Sequence, residues 1–452
     1  MDNLELGFHL RNTVVGANTQ IPLANGEYVT TINFDNAATT PPFCAVMREI
    51  NRFAPWYSSI HRGKGYKSVL SSELYEEGRK VIAGFVKADL SRDVIIYTKN
   101  TTESINMLSY ILFDADEKQI ILATDMEHLA NDLPWRDKFA VDYVSINEAG
   151  KLSLADLAKK LQHYQGKVKL VTVTGASNVS GILNPIDPIA RLVHRHGAKL
   201  LVDGAQLVPH CPVDMRPHDS PEHIDYLVFS AHKMYAPFGV GVLIGPQATF
   251  EQAVPVYQGG GDVKLVSRQF VEWADPPARH EAGTPNVMGV AALITAIQTL
   301  QNIGMKAIHQ YEENLICYAL AGLKRISALT LYGCGEPGDE RVSLLSFNIE
   351  GIHHKAVAAI LSGEGGIAVR SGLFCAHPYA QKLLKLTAAE VEYCRQHLDS
   401  LLPGMVRMSL GLYNNYREVD RFLELLEQIV RDPTKYQKKY RSLIRYAAAD
   451  RP

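Results

Sequence analysis

Five short polar clusters carry residue types that could act together: Thr101-Thr102-Glu103, Glu127-His128, Ser177-Asn178, Asp203 with Gln206, and Ser230-Ala231-His232-Lys233. Each follows an apolar run that reads as a β-strand. Thr101 and Thr102 lie where a helix begins, so backbone N–H groups and hydroxyls can hold a phosphate dianion. Asp203 can pair with a protonated ring nitrogen and keep that ring an electron sink. Lys233 can form a Schiff base, and a desolvated site would lower its pKa far enough for it to act as a base. His128 can stack on a ring face.

Taken singly, each of these residues has an ordinary reading. A threonine pair caps a helix, a lysine after a strand is solvated, and a histidine such as His128 is hydrogen-bonded and structural. The order of the set at successive strand ends carries the chemical reading. It suits an aromatic, phosphorylated cofactor better than a metal or a dinucleotide, and the cofactor implied is pyridoxal 5′-phosphate. No metal is expected.

The elements that must position these groups are legible in the hydrophobic pattern. Runs at 94–97, 119–124, 141–146, 168–174, 198–202, 224–230 and 240–244 read as strands, several rich in β-branched residues. A helix opens near Thr102 and carries Ile105, Leu108 and Ile111 on one face. Another is expected from Asp187 as N-cap and Pro188 at the first helical position, with Ile189, Leu192 and Val193 buried and Gly197 as its stop. Alternation of this kind argues for an α/β fold, a mostly parallel sheet covered on both faces, with ligands beyond the carboxyl ends of its strands. After about residue 295 the pattern changes to longer helices around strands at 341–348, 367–370 and 406–410, closed by an amphipathic helix at 416–430. The expected organisation is an N-terminal segment (1–25) packing with a small domain, a large domain (26–295) and a smaller α+β domain (296–452).

Composition excludes several classes. The chain has 452 residues, 46% hydrophobic and 21% charged, with a formal net charge of -2, which fits an ordinary soluble globular protein with no global attraction for nucleic acid. No apolar run reaches the length needed to span a bilayer, and the first residues lack a secretory pattern. Six scattered cysteines without a C-x-x-C pair suit neither a disulfide framework nor a zinc site, so a reducing cytoplasm is the expected setting.

The chain resembles the class V aminotransferase group of fold type I pyridoxal-phosphate enzymes, in its cysteine desulfurase and selenocysteine lyase branch. The resemblance runs from Phe34-Asp35-Asn36-Ala37-Ala38 to the closing helix. It is carried by His61-Arg62-Gly63, the Thr101–Asn106 segment, Met126-Glu127-His128, Ser177-Asn178-Val179, Leu201-Val202-Asp203-Gly204-Ala205-Gln206, Ser230-Ala231-His232-Lys233, Gly259-Gly260-Gly261 and Glu281-Ala282-Gly283-Thr284-Pro285-Asn286. It implies a seven-stranded large domain, with Lys233 as the Schiff-base lysine, Asp203 at the pyridine nitrogen, Gln206 at the ring oxygen and His128 stacked on the ring. Thr101, Thr102, Ser230 and His232 would hold the phosphate, and Thr284 would reach the phosphate of a neighbouring subunit, making a homodimer with shared active sites. Asn178 and Arg407 would clamp the substrate carboxylate, with Ala37, His61 and Arg370 lining the substrate side. A planar guanidinium can bind both carboxylate oxygens at once.

Arg370-Ser371-Gly372-Leu373-Phe374-Cys375-Ala376-His377-Pro378 resembles the R-x-G-x-x-C-A-x-P loop of group II cysteine desulfurases, in which the cysteine takes the substrate sulfur as a persulfide. The ordinary reading of Cys375, a small buried hydrophobe, stands beside this one. The resemblance implies conversion of L-cysteine to L-alanine, with sulfur held on Cys375 and passed to an acceptor, a protein among the candidates. Selenocysteine lyase, C–S β-lyase, aminotransferase and epimerase activities stay open, as does a catalytically silent scaffold. Cys375 and Arg407 stand 32 positions apart, more than in typical members of the group. The added stretch, about 379–404, has its own helix signals: a capping box at Thr387 and Glu390, a face of Val391, Cys394, Leu398 and Leu401, and a stop at Pro403-Gly404. The tail from Lys435 to Arg451, basic and rich in tyrosine, reads as a solvated or packed helix and not as a nucleic-acid contact.

Overall fold

The computed structural model describes residues 6–115, 119–334, 338–398 and 402–440. A seven-stranded sheet forms its centre. Its strands are β1 (Asp93–Thr98), β2 (Ile120–Thr124), β3 (Ala140–Val144), β4 (Val168–Thr174), β5 (Lys199–Asp203), β6 (Tyr226–Ser230) and β7 (Gly241–Pro246). Their spatial order is β1-β7-β6-β5-β4-β2-β3. The run from β6 to β3 is parallel, and β7 enters antiparallel to both β6 and β1. The strands between β1 and β4 are covered on both faces, as their continuous apolar runs predict. Leu200, Leu201, Val202, Leu227, Val228 and Phe229 are all fully buried, and each such aliphatic or aromatic side chain contributes ~1.5–3 kcal/mol.

A second core lies in the C-terminal part. Strands β8 (Leu329–Tyr332), β9 (Leu344–Ile349), β10 (Arg370–Gly372) and β11 (Met405–Ser409) form a four-stranded sheet in the order β8-β9-β11-β10. The Met305–Leu323, His354–Gly365 and Tyr416–Arg431 helices bury Leu315, Ile360 and Phe422 in its core. The N-terminal helix, Leu6–Arg11, touches both cores through Leu6, and Arg11 pairs with Glu418 of the closing helix at 2.5 Å. Among the described residues no single helix is long and apolar enough to cross a membrane.

Several local expectations are corrected. The helix expected to start at Asp187 spans Ile186–Arg195 and follows Pro185 without a side-chain cap. Asp187 instead lies in its first turn and pairs with Arg216 at 2.8 Å. The single strand expected at 367–370 is two strands in two sheets: Ile367–Ala368 pairs in parallel with Ile32–Asn33, and β10 begins at Arg370. β8 was not expected, because its alternating Leu-Thr-Leu-Tyr carries too few apolar positions to stand out from the preceding helix. The Thr387–Glu390 capping box forms as expected, but its helix, Ala388–Gln396, buries no residue and ends seven residues before Pro403. Leu401 lies outside the described residues. At the start of the added stretch Tyr379 is fully buried and donates to the carbonyl of Gly150 at 2.7 Å. In the tail, Tyr436 and Tyr440 are packed in the second core, while 441–451 lies outside the described residues.

Candidate active site

The carboxyl ends of the central strands meet the loop after β10 in a cavity of about 280 Å³. At one end, β1 runs into Asn100, whose side chain accepts from the Glu103 N–H and caps the Thr101–Leu112 helix. The cap takes up the Glu103 N–H, and Thr102, in the same first turn, lines the cavity, where a helix start suits an anion. Thr101, the first residue of that helix, and Ser230, the last of β6, are joined by hydrogen bonds of 2.8 Å (Thr101 N–H to Ser230 Oγ) and 2.7 Å between hydroxyls. Thr102 is exposed and lines the same cavity.

The floor is set by β5. Asp203 is 3% exposed, and its Oδ1 accepts from the Ala205 N–H at 2.9 Å. Burial pushes its carboxyl up, against that hydrogen bond and the charge of Lys233. Gly204 is required next to it: a Cβ there would stand 2.8 Å from Val208 and 3.0 Å from Leu227 side-chain carbons. Gln206 donates through Nε2 to the Ala37 carbonyl at 2.7 Å, leaving its Oε1 buried without a partner.

Lys233 closes a short 3₁₀ turn, Ala231–Lys233, that follows β6 directly. Enclosure by protein pushes its amine down to about 8, against the attraction of Asp203 and with the help of Arg407. His232, lowered to about 4 by burial and by Lys233, is neutral, and its carbonyl accepts from Thr39 Oγ1 at 2.9 Å and the Thr40 N–H at 3.0 Å. His128 is likewise lowered to about 4 by burial, Lys233, Arg407 and His377. Its Nδ1 accepts from the Ala130 N–H at 3.1 Å, so the proton of the neutral ring sits on Nε2. Behind it the buried Glu127 accepts from Thr174 N–H at 2.9 Å and Asn131 at 2.6 Å, fixing the end of β2 against β4.

The opposite wall comes from the second core. Arg407, on β11, is 3% exposed. It donates to the Asn178 carbonyl at 2.9 Å and to Asp35 Oδ1 at 3.2 Å, while its Nε is buried without a partner. Burial lowers its pKa to about 10, against the opposing charge of Asp35. Asp35 also faces Arg370 at 3.6 Å. Cys375 is exposed and enters the cavity on a loop whose Phe374 and Cys375 have φ of 52° and 53°. Both are left-handed conformations uncommon for residues with a Cβ. The loop is held by Asn178 Nδ2 donating to the Phe374 carbonyl at 2.7 Å and by the Leu129 N–H donating to the Cys375 carbonyl at 2.7 Å.

The cavity thus brings together Ala37, Thr101, Thr102, His128, Asn178, Asp203, Gln206, Ser230, His232, Lys233, Arg370, Cys375 and Arg407. His61 and Thr284 do not line it. His61 is exposed and bonds Glu76 at 3.0 Å. Thr284 is exposed on the 281–286 loop, which Glu281 anchors by accepting from Arg79, Tyr75 and Tyr97. Sequence reasoning missed Asp35 and Phe374 as site residues, and Asn100 as the cap. Asn100 had a readable signal, since Asn followed three residues later by Glu is a capping pair.

The donor set fits pyridoxal 5′-phosphate. A helix start and hydroxyls face one end of the cavity, a buried carboxylate with one free oxygen lies on its floor, and the unpartnered Gln206 Oε1 asks for a donor such as a ring hydroxyl. Lys233 stands within the same cavity with a depressed pKa.

The sheet and the cavity at its carboxyl edge define an α/β enzyme of the class V aminotransferase type, and comparison with known proteins agrees. The aminotransferase class-V family model matches residues 32–422, and the chain belongs to that family. It is 36% identical over 411 residues to a probable cysteine desulfurase of Synechocystis sp., covering 88% of this chain and 91% of that protein. It is 30% identical over 436 residues to a cysteine desulfurase of Haloferax volcanii, covering 94% and 96%. The structure of the apo cysteine desulfurase of Thermococcus onnurineus NA1 is similar with a TM-score of 0.78 at 31% identity, covering 89% of this chain and 95% of that one.

Proposed function

We propose that this protein is a pyridoxal 5′-phosphate-dependent cysteine desulfurase that converts L-cysteine to L-alanine and holds the sulfur as a persulfide on Cys375. The observation that carries the reading is the meeting of Lys233, Asp203, Arg407 and Cys375 in one cavity. Thr101, Thr102, Ser230 and His232 would hold the phosphate, Asp203 the ring nitrogen, Gln206 the ring oxygen, and neutral His128 would cover the ring face. When bound, the cofactor supplies an electrophilic carbonyl and a ring that stabilises negative charge developing at the substrate Cα.

The chain's own groups account for the remaining work. Arg407, already desolvated, binds the substrate carboxylate, which replaces part of its pairing with Asp35. Asn178 orients Arg407 through its carbonyl and the cysteine loop through its amide. Lys233 Nζ, as the neutral amine, takes the Cα proton. Cys375 Sγ, as thiolate, attacks the substrate sulfur; the new S–S bond forms as the Cβ–S bond breaks, and the electron pair left on carbon is protonated. The balance is cysteine plus one thiol giving alanine plus one persulfide. An acceptor thiol or a reductant then takes the outer sulfur.

The reading includes a homodimer with shared sites. Thr284, exposed outside this cavity, would reach the partner's cofactor phosphate, and His61, also outside it, the substrate side of the partner's site. A protein acceptor would approach over a shallow depression that shares Thr102, His128 and Cys375 with the cavity and opens past Tyr110 and Leu133, both exposed. A reducing, cytoplasmic setting suits a thiol that must stay free. The test is product analysis with L-cysteine and a reductant: alanine and sulfide in equal amounts are expected, and Cys375→Ala should abolish both. Pyruvate with ammonia would instead establish a β-lyase.

A further inference from the structure

We propose that Asp93, His218 and His223 form a binding site for a divalent transition metal of the zinc type, at the edge of the large sheet opposite the active site. Asp93 begins β1, whose far end feeds the Thr101 helix. At about 3.3 Å per residue the strand separates the two edges by about 17 Å. The histidines lie in the segment that leads into β6, which is parallel to β1 in the sheet and enters at the same edge.

One ring nitrogen from each histidine and one oxygen of Asp93 lie within 4.8 Å of one another. His218 Nε2 is 3.0 Å from Asp93 Oδ1, and the two imidazoles face each other with centroids 4.1 Å apart. The deciding observation is at His223, which is 3% exposed. Its Nδ1 lies 3.0 Å and 2.9 Å from the carbonyls of Met215 and Arg216. Carbonyls only accept, so Nδ1 carries the proton and Nε2 bears a lone pair. That Nε2 is buried with no hydrogen-bond partner. An unpaired buried acceptor is unfavourable unless something coordinates it.

The arrangement is the one metal-binding histidines use: one nitrogen donates to backbone carbonyl, which fixes the tautomer and aims the other. Asp93 is steadied in the same way, its Oδ2 accepting from the Asp89 N–H at 3.2 Å. Two imidazoles and a carboxylate, with water as the fourth ligand, match zinc coordination, whereas calcium and magnesium select oxygen donors. The segment is already clipped to the end of the Tyr66–Val86 helix by Lys87–Asp214 at 2.7 Å and by the Met215 N–H to the Val86 carbonyl at 2.9 Å. An ion would add a second tie from this segment, to the start of β1, which makes it a structural staple independent of the proposed catalysis.

The test is equilibrium dialysis of the cofactor-loaded, EDTA-stripped protein against Zn²⁺, with metal counted by elemental analysis, in wild type and in Cys375→Ser. About one zinc per chain is expected in both, and His223→Gln and Asp93→Asn should each weaken binding by at least about tenfold. Asp93→Asn keeps the size of the side chain and a hydrogen bond to His218, so it decides the matter should His223→Gln fail to fold. Co²⁺ substituted at the site should show visible bands of nitrogen and oxygen ligation without a thiolate charge-transfer band. Unchanged zinc occupancy in the variants, absence of stoichiometric zinc in the wild type, or a thiolate band would overturn the proposal.

Discussion

Asp203, Ser230 and Lys233 stand at or just past the ends of strands buried on both faces, while Cys375 stands on an exposed loop in left-handed backbone. The floor is over-determined: Asp203 cannot turn without breaking its bond to Ala205, and the Asp203–Gln206 turn admits no larger residue than Gly204. The loop is tied to Asn178 and Leu129 through the carbonyls of Phe374 and Cys375, and its φ values store strain of about 1–3 kcal/mol per residue. Groups that must hold a cofactor in one pose are placed on the sheet. The one group that must carry sulfur out of the cavity is placed where a second molecule can meet it.

The contrast breaks first at Lys233. Lys233→Ala should slow alanine formation by about 10⁴-fold, the upper end of what an acid–base group supplies, while near-visible absorbance still reports bound cofactor. A loss below tenfold in a steady-state alanine assay would place the base elsewhere, most simply on the loop side, and the division between floor and loop would fall.

The next effect is a pH dependence. Burial lowers the Lys233 pKa to about 8, so below that pH its amine is protonated and unreactive, and above it the amine is free. Capture of pyridoxal 5′-phosphate by the cofactor-stripped protein should therefore speed up by about tenfold between pH 7 and pH 9 and then level off. Stopped-flow absorbance measures this directly. A midpoint near the ordinary lysine value would mean that the floor is wetter than its packing indicates.

On the loop side the expected effect is one of stability. Cys375 sits at φ 53°, where a Cβ is unfavourable and glycine is at ease. Cys375→Gly should therefore be more stable than Cys375→Ala by roughly 1 kcal/mol in denaturant unfolding, although both lack the thiol. Equal stabilities would show that the loop relaxes out of the left-handed conformation, and the strain would not be part of how the thiol is presented.

Much of this architecture was legible because strand ends are easy to find. β4, β5 and β6 are apolar runs that stop at polar residues, so Asp203, Ser230 and Lys233 could be ordered along one edge before any contact was known. Asp35 was not legible as a site residue. It reads as part of an N-terminal turn, and only the approach of β11, 372 residues away, makes it the partner of Arg407. The same limit hid the tie from Asn178 to the Phe374 carbonyl across 196 residues. Local pattern also joined what the fold separates, since 367–370 reads as one strand but serves two sheets on either side of Val369.

The smallest effect concerns the helix after the cysteine loop. Thr387 caps Ala388–Gln396 with a complete capping box, accepting from the Glu390 N–H at 3.2 Å, yet none of that helix is buried. Local and global stability should therefore separate there. Thr387→Ala should cost that helix about 1 kcal/mol, seen as faster amide hydrogen exchange across 388–396. It should move the global unfolding free energy by less than about 0.5 kcal/mol, as surface substitutions do. A larger global loss would mean that this helix is tied into the loop bearing Cys375. The strained, exposed side of the cavity would then have a structural support of its own, comparable to what the sheet gives Lys233.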